Sequence, residues 1–152
     1  MKELLINRCF GGYTLSNEVL IELTKRKHKD FEKLYFYCED YSNQRYVKIK
    51  DFKYKNGKLV NSGYFLDSLY LSYHDQGDIV KYNDFKYDKL IWSDNWSRDD
   101  EDLIKLFKEW GSERCSGDCS KLKLVEIPND IEYYIDVYDG LESIHERHRS
   151  WN

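Results

Sequence analysis

Two dipeptides constrain this chain more than any other feature. Asp139-Gly140 follows a run in which Ile131, Tyr133, Ile135 and Val137 alternate with polar residues. Asn56-Gly57 stands between Phe52-Lys53-Tyr54 and Leu59-Val60. Both residues of a tight two-residue hairpin turn need φ > 0, which Asn-Gly and Asp-Gly supply most readily. Each dipeptide therefore predicts antiparallel pairing of its flanks. The 14 Tyr, 7 Phe and 4 Trp agree, because aromatic side chains suit a pleated, half-buried surface. The segment after Gly140 has two readings. Leu141, Ile144, His145 and His148 fit a helical face, whereas Glu142, Ile144 and Glu146 against Ser143, His145 and Arg147 fit a hairpin arm. The strength of the Asp-Gly signal favours the hairpin.

Elsewhere the pattern is mixed. Residues 3–9, with Leu4-Leu5-Ile6 at their centre, read as a buried strand that Phe10-Gly11-Gly12-Tyr13 breaks. A helix follows, with Ser16 as N-cap, Val19, Leu20 and Leu23 on one face, and Lys25, Arg26, Lys27 and Lys29 at its end, where cations suit the dipole. Leu34-Tyr35-Phe36-Tyr37-Cys38 is the next strand, so the opening resembles a βαβ unit. Asp99, Asp100, Glu101 and Asp102 begin a second helix. It buries Leu103, Leu106, Phe107 and Trp110 and stops at Gly111. A strand at 122–127 ends at Pro128. The expectation is an α/β or α+β fold in one domain, 1–152: a strand–Gly-Gly loop–helix–strand start, a mixed sheet, two main helices and a β-rich insertion or lobe at 43–97.

Composition excludes whole classes. A chain of 152 residues can bury about 68–70% of its unfolded surface and needs no staple to fold. With 41% hydrophobic and 34% charged residues it reads as neither a membrane protein nor a disordered one. A net charge of −4 disfavours a double-stranded DNA binder while leaving room for a local basic pocket. The opening residues lack the apolar run of a signal peptide, so the expected location is the cytoplasm. The four cysteines are then expected as thiols. Cys115 and Cys119 read as incidental residues of a Gly-containing loop, with zinc as the competing reading.

Two groups of residues carry chemical interest. Asn7, Arg8, Gly11, Gly12 and Ser16 lie between a strand and a helix, where glycine backbone and a helix N-terminus can meet an anion. The spacing is neither GxGxxG nor GxxxxGK[ST], so a tight turn is the alternative. Glu142, His145, His148 and Arg149 form the second group. If helical, Glu142 and His145 share a face with His148 three residues on, as an acid/base or metal group; His148 and Arg149 could instead recognise an anion, and a solvated charged C-terminus anchored by Trp151 is the alternative to both. No motif calls for a cofactor, a metal or a catalytic residue. Tyr and Trp spread through 35–96 are either core or a docking surface.

Both ends resemble a family of small proteins of tailed phages and prophages. The residues that carry the resemblance are Ile6-Asn7-Arg8-Cys9-Phe10-Gly11-Gly12-Tyr13 with Leu15-Ser16, then Arg98-Asp99-Asp100. Further matches are Leu122-Lys123-Leu124-Val125-Glu126-Ile127-Pro128, Tyr138-Asp139-Gly140-Leu141-Glu142 and His148-Arg149-Ser150-Trp151. The resemblance implies a setting, the cytoplasm of a host cell, and not an activity. With no catalytic motif, it points to an accessory binding module that counters host defence. Its partner would be a small nucleotide or phosphate ligand, or a host protein. The competing reading is a nucleotide or phosphodiester hydrolase using His145, His148 and a carboxylate.

Overall fold

A computed structural model of the chain describes residues 1–60 and 65–147, the backbone alone at 65–68. The fold is α+β. In chain order it runs β1 (Lys2–Asn7), α1 (Asn17–Lys27), β2 (Tyr35–Asp40), β3 (Arg45–Lys48), β4 (Tyr54–Lys55), β5 (Lys58–Leu59) and β6 (Phe65–Ser72). Then come β7 (Ile79–Lys81), β8 (Lys89–Ile91), α2 (Glu101–Cys115), β9 (Leu122–Ile127), β10 (Tyr133–Tyr138) and β11 (Leu141–Glu146). Both dipeptide signals form hairpins: β4 pairs with β5 across Asn56-Gly57, and β10 with β11 across Asp139-Gly140. No helix among the described residues is long and apolar enough to cross a membrane.

The opening is not a βαβ unit. β1 pairs antiparallel with β9, while β2 lies inside a separate five-stranded sheet of order β7-β3-β2-β6-β8, antiparallel throughout. The reason lies at the other edge of β1. There the Leu5 N–H donates to Arg98 O (2.9 Å), the Arg98 guanidinium donates to Leu5 O (3.2 Å), and the Asn7 N–H donates to the Glu142 carboxylate (2.8 Å). With β9 on one flank and these groups on the other, β1 has no free ladder for β2. The segment expected as a β-rich insertion, 43–97, supplies four of the five strands of the larger sheet and completes it around β2.

One face of that sheet joins the two helices in a common core. Phe36, Cys38, Leu69, Leu71 and Ile91 from the sheet meet Val19, Leu20 and Leu23 of α1 and Leu103 and Leu106 of α2. The apolar stripe expected on α1 is wholly buried. On α2, Leu103 and Leu106 are buried, and Phe107 and Trp110 pack half-buried at the margin. Asp100 caps α2 by accepting the Leu103 N–H (3.1 Å). Gly111, expected as the stop, takes φ 82° and ψ 171° and kinks the helix, after which one more turn reaches Cys115. That turn corrects the expected surface loop: Cys115 is fully buried, and only Cys119 of the pair is exposed.

The outer face of the sheet is covered by its own chain. β7 and β8 sit at opposite edges, so residues 82–88 must cross four strand spacings, about 19 Å at ~4.8 Å each. Phe85 stacks on Tyr46 (ring centroids 4.1 Å) and meets Tyr37 (5.1 Å) and Tyr70 (5.9 Å) on the way. The Tyr82 hydroxyl donates to the Glu39 carboxylate. The central aromatics thus pack mainly on one another.

Candidate functional site

One residue of the second group, Glu142, meets Asn7 and Arg8 of the first, 135 residues away from Asn7, where β1 ends against the β10–β11 hairpin. Asn7 is fully buried, and its N–H and both ends of its side-chain amide are engaged. Its N–H donates to Glu142 Oε1 (2.8 Å), its Nδ2 to Cys9 O and Gly140 O (2.7 Å each), and its Oδ1 accepts the Lys121 N–H (2.9 Å). Arg8 donates to the backbone oxygen of Glu142 (2.7 Å). The Gly11 N–H donates to Asp139 O (3.1 Å). A Cβ on Gly140 would lie 2.2 Å from the Gly12 nitrogen and 2.6 Å from that of Gly11. Gly140 therefore permits the hairpin turn to approach the backbone of Gly11 and Gly12 closely, whereas a Cβ on Gly11 would meet Cys119 and one on Gly12 would meet nothing.

Glu142 is the centre of this junction. It is 3% exposed, and Arg98 grips both carboxylate oxygens, Nη1 to Oε1 at 2.6 Å and Nη2 to Oε2 at 2.8 Å. Parallel Arg–carboxylate bonds of this kind are the strong, directional ones. The Arg98 guanidinium also lies 3.4 Å from the centre of the Tyr13 ring. Burial pushes the Tyr13 phenol well above its ordinary range, and its hydroxyl has no hydrogen-bond partner among the described residues. Sequence reasoning placed Glu142 in the site but missed Arg98 as its counterion. The only signal was an arginine just before the acidic start of a helix.

The remaining residues separate. Ser16 is buried and caps α1, accepting the Val19 N–H (3.3 Å). His145 is exposed, shares a hydrogen bond with Ser143 (2.9 Å) and stacks on Tyr134 (5.4 Å). The helical pairing of Glu142 with His145 is overturned, because in a strand residues three apart point to opposite faces. Glu142 faces inward and His145 outward. His148 and Arg149 lie outside the described residues. No group of three or more His, Cys, Asp or Glu among the described residues is placed to hold a metal ion.

Chemically, the junction is closed. The Glu142 oxygens already accept three donors, so the carboxylate is engaged as an anchor and not poised as a base. A two-stranded hairpin is marginal by itself, and these bonds fasten it to the body of the protein. What the hairpin turns outward is different. Tyr138 is 75% exposed, Tyr134 43% and Phe10, whose ring meets the edge of Tyr138 at 6.4 Å, 60%. Exposed Asp136 lies between the two tyrosines on that face, and exposed Asp130, Glu132 and Asp139 flank it along the chain. No family model, curated protein or solved structure matches the chain.

Proposed function

We propose that this protein is a non-catalytic binding module that docks on a basic protein surface through the outer face of its C-terminal hairpin. The observation that carries this reading is the exposed set Phe10, Tyr134 and Tyr138, flanked by carboxylates and held on a rigid mount by the Arg98–Glu142–Asn7 junction. Exposed aromatics on a fixed backbone are the usual anchors of protein interfaces, and the surrounding charge steers a partner of opposite sign. The resemblance of both ends to tailed-phage and prophage proteins supplies the setting: an accessory protein acting in the host cytoplasm, blocking a host protein. The pairing of Glu142 with His145 is not available to a hydrolase, because the two stand on opposite faces of the hairpin. The test is capture from a bacterial host lysate with the wild type and with Tyr134→Ser/Tyr138→Ser. A basic protein should be retained by the wild type and lost by the variant at unchanged melting temperature. Equal capture by both would refute the assignment of the surface.

A further inference from the structure

We propose a second site on another face: a phosphate-binding groove between the β4–β5 hairpin, the last turn of α2 and the loop before β9. A cavity of about 630 Å³ opens there, the size of small-ligand pockets. Lys55, Lys58 and Lys121 line it together with one acidic residue, Glu113, and a second carboxylate, Asp118, pairs with Lys58 at its margin. This is a concentration of positive charge in a chain whose net charge is −4, and a concave site of one sign focuses the field on small anions.

The three lysines are exposed, and what sets them apart is their juxtaposition. Lys55 and Lys58 are directly opposed in the β4–β5 ladder, where like charges repel. Lys58 has a counterion in Asp118 (2.5 Å), whereas no ion pair among the described residues involves Lys55 or Lys121. Their mount is fixed. The Glu18 N–H donates to Gly57 O (2.9 Å) and the Leu59 N–H to Asn17 Oδ1 (3.1 Å), locking the hairpin against the start of α1. The Lys121 backbone is held by Asn7 and Arg8. The hydroxyls of Ser112 and Ser120 are already committed, donating to Leu122 O and Thr14 O. Lysines of this kind bind phosphate as point charges. The ligand class is therefore a small molecule carrying a phosphate or diphosphate group, and this site stands independently of the hairpin surface.

Calorimetric titration with sodium pyrophosphate, ADP and adenosine tests it. Pyrophosphate and ADP should bind and adenosine should not, with ADP the tighter if a nucleotide is the natural source. Lys55→Gln/Lys121→Gln should weaken both phosphates at least about tenfold, the loss expected when charged hydrogen bonds are removed. Lys81→Gln/Lys89→Gln, distant from the groove, should leave them unchanged. Glu113→Gln, which removes the one lining carboxylate, should tighten binding severalfold and serves if the double lysine variant fails to fold. The proposal is overturned if the wild type gives no heat with millimolar pyrophosphate. It is overturned equally if both lysine pairs weaken binding alike, or if Glu113→Gln leaves affinity unchanged or weaker.

Discussion

Replacing Glu142 by Gln removes one charge from the junction and almost no volume. The amide oxygen keeps the Asn7 N–H and Arg98 Nη1 but an NH₂ turns toward Nη2, so one charge-assisted bond is lost, the other loses its anionic acceptor, and a half-buried cation is left without its counterion. Stranding one member of a fully buried pair costs about 3–5 kcal/mol. The Arg98 side chain retains 21% of its exposure, and water regains part of that cost, which brings the expected loss to about 2–3 kcal/mol. In a domain of this size each kcal/mol moves the melting temperature by about 2–4 °C, so the shift should be roughly 4–12 °C. Urea titration of the wild type, Glu142→Gln, Arg98→Met and the double variant closes a cycle. The coupling should be at least about 1.5 kcal/mol, since the two side chains share one interaction. A loss under about 0.5 kcal/mol with no coupling would refute the role of the pair as a clamp.

Tyr13→Phe should be neutral or stabilising, because the phenol is buried without a partner and its removal deletes an unmet desolvation cost of about 1–3 kcal/mol; a destabilised variant in thermal melts would mean the hydroxyl is bonded. Gly140→Ala should cost about 2–4 kcal/mol from a positive-φ residue forced against the Gly11 and Gly12 nitrogens, and an unchanged urea midpoint would contradict the close approach. Burial pushes the Cys38 thiol up to about 11 and that of Cys115 up to about 12, from an ordinary 9.0. Folding therefore favours the protonated thiols: their contribution is complete below pH 9 and is lost as pH rises toward 11–12. Melting temperature should fall across that window, and a thiol reagent at neutral pH should label Cys9 and Cys119 fast and the buried pair only on unfolding.

Local chemistry made much of the fold legible. Asn56-Gly57 and Asp139-Gly140 set their hairpins, since φ > 0 at both turn residues suits little else. Helix stripes at Val19, Leu20 and Leu23 and at Leu103 and Leu106 marked the core faces. What stayed hidden was non-local. That β1 joins β9 and not β2 depends on Arg98 and Glu142 occupying its second edge, and no spacing in the sequence announces that pair. Cys115 read as loop because Gly111 should stop a helix, yet a kink at that glycine let another turn carry the thiol into the core. The site was half legible. Asn7, Gly11, Gly12 and Glu142 were named and do meet, while their role depended on what faces the glycines, a question of tertiary contact. The lysines of the groove come from two distant segments, the β4–β5 hairpin and the loop before β9, and only folding gathers them.

Amide hydrogen exchange at Asn7 and Gly11, followed by NMR with and without phosphate, tests the central claim most directly. That claim is that the junction is closed by the hairpin, with the Asn7 N–H on Glu142 and the Gly11 N–H on Asp139 O. The account predicts slow exchange at both amides, unaffected by millimolar phosphate and accelerated together by Glu142→Gln. Fast exchange at Gly11 that slows when phosphate is added would contradict it, because an open anion-binding loop behaves in that way.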